Sequence, residues 1–134
     1  MPFVLDASVT ACWAYSDETD IRADIALSLL EETSARVPIL WWFEIRHVLL
    51  TGERRKRVSE AETLRFFQRL AESSIHFDDL PDGALVMALA RRRRLSFYDA
   101  SYLELALRTG LALATLDGQL AAAARVEGVP LVGD

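Results

Sequence analysis

Acidic residues are the side chains of this sequence whose placement points to chemistry. Asp6 and Asp117 each follow a short apolar run, while Glu44 and Asp99 lie near the start of helical patterns. Carboxylates brought together repel one another and take up protons unless a hard divalent cation such as Mg²⁺ or Mn²⁺ neutralises them. Such a cation polarises a phosphoryl oxygen and makes water nucleophilic near neutral pH, so phosphodiester hydrolysis is the expected chemistry.

Each of these acids also has an ordinary structural explanation. Asp is a favoured helix N-cap, and this role fits both Asp6 and Asp117. Ser96 followed three residues later by Asp99 fits a capping box. Glu44 lies at the edge of the apolar arc of its helix, where an acid can be a simple boundary residue. For each acid taken alone, the structural and the chemical interpretation stay open.

A capping box explains the position of Asp99 at the start of its helix better than it explains the direction of its side chain. In the helix predicted over residues 98–109, the polar residues form one narrow stripe that we expect to face solvent, namely Ser101, Glu104 and Arg108. Asp99 lies on the opposite side of that helix, in the sector of Leu103 and Ala106. We therefore expect its carboxylate to point toward the sheet.

Short apolar runs alternate with helical patterns along the chain. The predicted strands are residues 4–5, 37–40, 75–77, 111–115 and 129–132. Strands separated by helices form a parallel sheet with helices on both faces. We therefore predict an α/β fold, a three-layer α/β/α sandwich around a central, mostly parallel five-stranded sheet, formed by residues 1–134 as one domain. Ligands of such sheets bind outside the carboxyl ends of the strands, where Asp6 and Asp117 fall.

Two helices are predicted in more detail. Apolar residues at spacings of three and four predict one buried helix face, formed by Leu64, Phe67, Leu70 and Ala71. A second helix has Asp82 near its start and four arginines, residues 91–94, at its end, which matches the helix dipole.

Composition bounds the class of protein. Hydrophobic residues make up 51% and charged residues 26% of the chain, which is typical of a globular domain. A single cysteine, Cys12, excludes an internal disulfide framework. No apolar run reaches the ~18–20 residues that cross a bilayer, and the first residues do not resemble a signal peptide. We expect a soluble, cytoplasmic protein that does not contact membranes.

The distribution of charge has a pattern that the average hides. The net charge of −5 argues against a general nucleic-acid coat protein. Yet eight of the fifteen basic residues lie in two runs, 54–57 and 91–94. These runs either form solvated surfaces or hold RNA phosphates beside an acidic site. The candidates for substrate binding are Arg54, Arg55, Arg91, Arg92, Arg93 and Arg94.

Four segments together resemble the PIN domain family, and in particular the VapC-type toxin ribonucleases of type II toxin–antitoxin pairs. They are Val4-Leu5-Asp6-Ala7-Ser8, Glu44-Ile45, the run from Leu95 to Leu103 that contains Tyr98-Asp99-Ala100, and the run from Leu113 to Leu120 that contains Thr115-Leu116-Asp117-Gly118. The resemblance covers nearly the whole chain, and its third and fourth segments are the most specific.

The resemblance implies a metal-dependent endoribonuclease that uses Mg²⁺ or Mn²⁺, hydrolyses RNA, forms a homodimer and is inhibited by a cognate antitoxin. It implies that the catalytic and metal-binding residues are Asp6, Glu44, Asp99 and Asp117. It also matches Ser8 and Thr115 to hydroxyl residues that support the acids. The tryptophans Trp41 and Trp42 are candidates for the dimer interface.

One residue departs from the family pattern. Many relatives carry Asn three residues after the glutamate, where this chain has His47. A lone His on a helix is more often structural than catalytic, so the departure affects the groups around the acids more than the acids themselves.

Two alternatives to a ribonuclease remain. One is a non-catalytic module that binds a divalent ion or a partner, built on a PIN or receiver-like fold. A receiver domain has paired acids after its first strand and a lysine near its end, whereas here one acid follows that strand and the only lysine is Lys56. The other alternative is a structure-specific DNA nuclease, since the same acids suit either polymer.

Overall fold

A parallel four-stranded sheet with the strand order β3-β2-β1-β4 forms the middle layer of the molecule. The computed structural model describes residues 1–134. In chain order the elements are β1 (Phe3–Leu5), α1 (Ala7–Ala14), α2 (Ile21–Glu32), β2 (Ala35–Val37), α3 (Ile39–Arg54), α4 (Glu60–Ala71), β3 (Ile75–Phe77), α5 (Gly83–Arg93), α6 (Phe97–Thr109), β4 (Ala112–Ala114) and α7 (Gly118–Val126). The seven helices flank the sheet as in an α/β/α sandwich, which confirms the predicted fold class. None of the helices is both long and apolar enough to cross a membrane.

Strand β1 lies inside the sheet and is fully buried. Its residues pair in parallel register with both neighbours, Phe3 with Ala35 of β2 and Val4 with Leu113 of β4. Because all pairings are parallel, the carboxyl ends of the strands meet at one edge. Asp6 leaves β1 at this edge, where its backbone N–H donates to the carbonyl oxygen of Ala114 at 3.0 Å.

The predicted fifth strand is wrong. Residues 129–132 form only an isolated bridge, between Leu131 and Leu113. Pro130 has no backbone N–H to donate to a ladder, and Gly128 and Gly133 adopt φ angles of 78° and 85° that turn the chain on either side. Only two backbone hydrogen bonds join this segment to β4. The N–H of Leu113 donates to the carbonyl oxygen of Pro130, and the N–H of Val132 donates to the carbonyl oxygen of Leu113.

The second strand begins two residues earlier and ends three residues earlier than the sequence predicts. It ends at Val37, and Pro38 occupies the N-cap of α3 with a ψ of 160°. Apolar residues continue from the strand into the first turn of α3, where Ile39 and Leu40 are already helical. Hydrophobicity alone therefore does not mark this boundary, although proline at a helix start does.

Helix α4 buries less of its apolar face than its periodicity predicts. Its start is fixed by a capping box between Ser59 and Glu62. Phe66 is its only fully buried side chain, while Leu64 is 60% exposed, Phe67 and Leu70 are half-buried, and Ala71 is exposed. The helix lies at the periphery of the molecule, so the expectation of a buried face is wrong for Leu64 and Ala71.

The middle of helix α6 is buried on every side, which corrects the expectation of a solvent-facing stripe. Residues 100–106 are all buried, including Ser101 and Glu104. The Ser101 hydroxyl donates to the carbonyl of Phe97, and Glu104 accepts from Arg108 at 2.8 Å and from the backbone N–H of Asp82. Polar groups can be buried when each has such a partner. Arg108 alone of the stripe stays partly exposed, and α6 is the helix that carries Asp99.

Candidate active site

Asp6 is the most buried of the four candidate acids, with 5% of the residue exposed. It occupies the N-cap position of α1 but makes no capping hydrogen bond, so the capping interpretation is wrong for this residue. Instead its Oδ2 accepts two hydroxyl hydrogen bonds of 2.7 Å, from Ser8 and from Thr115. Burial raises the pKa of the Asp6 carboxyl and the charge of Asp117 adds to this, while the two hydroxyls oppose the shift.

The same two hydroxyls connect the ends of β1 and β4. The Ser8 hydroxyl accepts the backbone N–H of Leu116 at 2.9 Å, and the Thr115 hydroxyl accepts that of Asp117 at 3.0 Å. Each hydroxyl therefore receives a backbone hydrogen bond and donates its own proton to Asp6. The position of this carboxylate is fixed by groups from two separate strand ends.

Asp117 does act as a helix cap. Its Oδ1 accepts the backbone N–H of Leu120 at 2.9 Å, at the start of α7. Capping uses one carboxylate oxygen and leaves the charge in place. Burial raises the pKa of both Asp6 and Asp99, and the charge of Asp117 adds to the rise in each.

Asp99 forms only half of the expected capping box. The Ser96 side chain accepts the backbone N–H of Asp99 at 3.0 Å, but the return bond from the Asp99 carboxylate to the Ser96 backbone is not formed. The carboxylate is half-buried, and burial raises its pKa, followed by the charges of Asp117 and Asp6. The helix start therefore leaves this acid free for another role.

Glu44 reaches the site from α3 and is half-buried. Its Oε1 accepts a hydrogen bond of 2.5 Å from the hydroxyl of Tyr102 on α6. Burial raises the pKa of the Glu44 carboxyl, the Tyr102 hydroxyl opposes this, and the charges of Asp6 and Asp99 raise it further. Burial also raises the pKa of Tyr102 well above its usual value, so its hydroxyl remains a donor.

The four acids thus interact at the carboxyl edge of the sheet, and none of them forms a salt bridge. Uncompensated carboxylate oxygens are the donors that Mg²⁺ and Mn²⁺ prefer, so the donor chemistry of these residues fits such an ion. No three acidic, histidine or cysteine side chains already stand in the geometry of a metal-binding group. The structure therefore provides carboxylate oxygens suited to such an ion, but these oxygens do not form a complete coordination shell.

The basic runs are placed differently from one another. Arg92 and Arg93 are both tied to Glu127, at 2.6 Å in each pair, whereas Arg91 and Arg94 are exposed and form no ion pair. Arg92, Arg93 and Arg94 line one shallow cleft together with Gln119, which is two residues from Asp117. Arg94 is therefore the one arginine of this run that both lines the cleft and is free of an ion pair.

The other run lies away from the acids. Arg54 ends α3 and Arg55 follows it, whereas Glu44 is in the second turn of the same helix. Ten residues at about 1.5 Å each separate Glu44 from Arg54 by roughly 15 Å. The structure does not bring Arg54 and Arg55 to the acids.

The other residues singled out in the sequence take ordinary surface or core positions. His47 is exposed and makes no hydrogen bond. Trp41 is buried and donates its indole N–H to Thr10, so only Trp42 of that pair lies on the surface, where Arg46 stacks on its ring.

Tyr102, which bonds to Glu44, is the site residue that the sequence did not reveal. The signal for it was its spacing, since it follows Asp99 by three residues and so shares a helix face with it.

Comparison with known proteins agrees with this geometry. The family model of the PIN domain matches residues 3–126, and the chain belongs to this family. The structure is similar to PAE2754 from Pyrobaculum aerophilum, with a TM-score of 0.71 and 28% identity over 92% of this chain and 84% of that one. A comparison with curated proteins returned no significant match.

Two further solved structures share the fold at lower identity. VapC20 from Mycobacterium tuberculosis, a toxin that cleaves the sarcin–ricin loop, has a TM-score of 0.60 and 16% identity over 90% of this chain and 94% of that one. FitAcB from Neisseria gonorrhoeae has a TM-score of 0.58 and 19% identity over 99% of this chain and 97% of that one.

Proposed function

We propose that this protein is a metal-dependent endoribonuclease and the toxin of a toxin–antitoxin pair, formed by residues 1–134 as one domain. The observation that carries the proposal is the group of four interacting carboxylates without a counter-charge at the carboxyl edge of the sheet. Membership of the PIN family supports a nuclease, because PIN domains are generally nucleases. The fold shared with VapC20 is in keeping with a toxin that cleaves RNA in the cytoplasm.

The residues that would hold a divalent cation are Asp6, Glu44, Asp99 and Asp117. When bound, Mg²⁺ or Mn²⁺ would supply the electrostatic activation of water and of the phosphoryl oxygen that hydrolysis requires. The chain's own groups fix the acids: Ser8 and Thr115 orient Asp6, and the α7 N-terminus orients Asp117. These contacts hold the carboxylates in place before substrate binds, so less reorganisation is needed during the reaction.

Substrate binding requires cations around this acidic site, because RNA phosphates are repelled by carboxylates. We assign that role first to Arg91 and Arg94, which are free of ion pairs. Arg92 and Arg93 are weaker candidates, because Glu127 engages their guanidinium groups. Arg54 and Arg55 are candidates only for more distant phosphates.

A homodimer and an antitoxin are the proposed protein partners. A groove beside the site exposes several large apolar side chains, as expected of a protein interface. They are Ile39, Phe43, Leu80, Phe97 and Tyr98. We propose that a second copy of the chain covers this face. An antitoxin that inhibits the enzyme would carry basic residues where it meets the acidic pocket.

The test of the activity is cleavage of single-stranded RNA by the purified chain in Mg²⁺ or Mn²⁺. Asp6→Asn is expected to abolish cleavage, whereas Asp24→Asn, at an exposed acid outside the site, leaves it unchanged. A parallel panel of single-stranded and structured DNA separates a ribonuclease from a DNA nuclease. Equal cleavage by wild type and Asp6→Asn would leave the non-catalytic module as the better reading.

A further inference from the structure

Tyr102 makes a contact that the catalytic scheme above does not use. It is fully buried, and its hydroxyl donates a hydrogen bond of 2.5 Å to Oε1 of Glu44. The two residues are 58 positions apart in the chain, on α6 and α3. We infer that Tyr102 is a positioning residue, whose hydroxyl holds the Glu44 carboxylate at the acidic site. This inference rests on the proposed function, because it concerns the same four acids.

The surroundings of Tyr102 make it part of the site rather than an ordinary core residue. Helix α6 packs against β1, the strand that Asp6 directly follows, and the charges of Asp6 and Glu44 both act on the tyrosine hydroxyl. Asp99 lies three residues earlier on the same helix. One turn of α6 therefore carries both a candidate metal ligand and the group that holds another.

Glu44 has a physical need for such a partner. Its long side chain has several rotatable bonds, and no other hydrogen bond to its carboxylate is present in the structure. The charges of Asp6 and Asp99 repel it, so an unrestrained Glu44 would turn toward solvent. A phenol hydroxyl can only donate to a carboxylate, and a charge-assisted bond of this length is among the stronger kinds.

A second buried tyrosine provides the matched control. The residue Tyr15 is 5% exposed, and its hydroxyl donates to the backbone carbonyl of Val48 at 2.7 Å rather than to any of the four acids. Tyr102→Phe and Tyr15→Phe therefore each remove one buried hydroxyl with one hydrogen bond and keep the ring. Thermal unfolding of both variants measures the structural cost of that change.

The experiment measures Mn²⁺ binding by the loss of the free-ion electron paramagnetic resonance signal, without any RNA. Tyr102→Phe is expected to weaken Mn²⁺ binding by about 10-fold or more, as is typical when a group that orients a metal ligand is removed. Tyr15→Phe is expected to bind Mn²⁺ as the wild type does. In the cleavage assay, Tyr102→Phe should lower kcat by a similar factor and leave the KM for RNA unchanged.

A double-mutant cycle shows whether Tyr102 acts through Glu44. In the Glu44→Ala background, Tyr102→Phe should cause no further loss of Mn²⁺ affinity, whereas independent effects would add. Equal Mn²⁺ affinity of Tyr102→Phe and wild type, or additive losses in the cycle, would overturn the positioning role. Intact Mn²⁺ binding without RNA cleavage would contradict the proposed function alone, and the comparison of the tyrosine variants would still stand.

Discussion

At the scale of single residues, the four acids differ in how they are held. Asp6 is fixed by two hydroxyls, Asp117 by a helix N-terminus and Glu44 by a tyrosine, while the Asp99 carboxylate accepts no backbone hydrogen bond. Acidic residues were recognisable in the sequence because they follow strands or begin helices. Their partners were less so, since Tyr102 resembles any apolar residue of a buried helix face.

Asp99 is the acid whose replacement should disturb the fold least. Asp99→Asn is expected to abolish RNA cleavage and, in EDTA, to raise the Tm, because it removes a charge that Asp117 and Asp6 repel. The Ser96 cap uses the backbone of residue 99 and is retained. Calorimetry without metal and the cleavage assay measure the two effects. A lower Tm together with wild-type cleavage would return Asp99 to a purely structural role.

At the scale of elements, the packing of α3 against α1 depends on a glycine. A Cβ atom at Gly52 would overlap the hydroxyl and ring of Tyr15, which is bonded to Val48 one turn earlier. Gly52→Ala is expected to destabilise the protein by about 1–3 kcal/mol, as overpacking does. Gly83→Ala is the control, since a Cβ there meets no atom within 4 Å. Denaturant unfolding measures both, and equal stabilities would contradict this packing.

A second inter-element contact joins the end of α5 to the end of α7. Arg92 and Arg93 lower the pKa of the Glu127 carboxyl. The ion pairs of Glu127 therefore stabilise the folded protein fully when the pH is above 4.5, the ordinary pKa of this carboxyl. This stability is lost as the pH falls through the lowered pKa. Glu127→Gln should therefore cost about 1 kcal/mol at pH 7 and progressively less in acid. Urea unfolding from pH 7 into acid measures the difference in the free energy of unfolding between Glu127→Gln and the wild type, with Glu32→Gln, at an exposed residue, as control. A loss of stability that grows as the pH falls would contradict this role of Glu127.

The elements also show where sequence patterns stop being informative. Alternating strand and helix signals predicted the parallel α/β order, because each signal is local. The start of α3 and the depth of α6 were mispredicted, because apolar residues run unbroken from Val37 into the helix and because Glu104 is buried by a partner that only the fold supplies. The burial of α4 was overestimated, because the exposure of its apolar face depends on which elements pack against it, and the sequence pattern does not show this.

At the scale of the whole molecule, an acidic site must attract a polyanion. The double variant Arg91→Glu/Arg94→Glu is expected to weaken RNA binding and to reduce the dependence of log K on log [salt] by about 1–2, since two phosphate contacts are lost. Arg54→Glu/Arg55→Glu, at the far end of α3, should have the smaller effect. Filter binding with uncleavable RNA at several salt concentrations compares them. Equal salt slopes for both variants would mean that residues 91 and 94 are merely solvated.

The proposed activity requires that the acids share one ion, and the anomalous diffraction of Mn²⁺ in crystals of the protein tests this most directly. We predict a Mn²⁺ peak at the carboxyl edge of the sheet, bound by Asp6 and Asp99 together with Glu44 or Asp117. Crystals saturated with Mn²⁺ that show no ion among these residues would contradict the account.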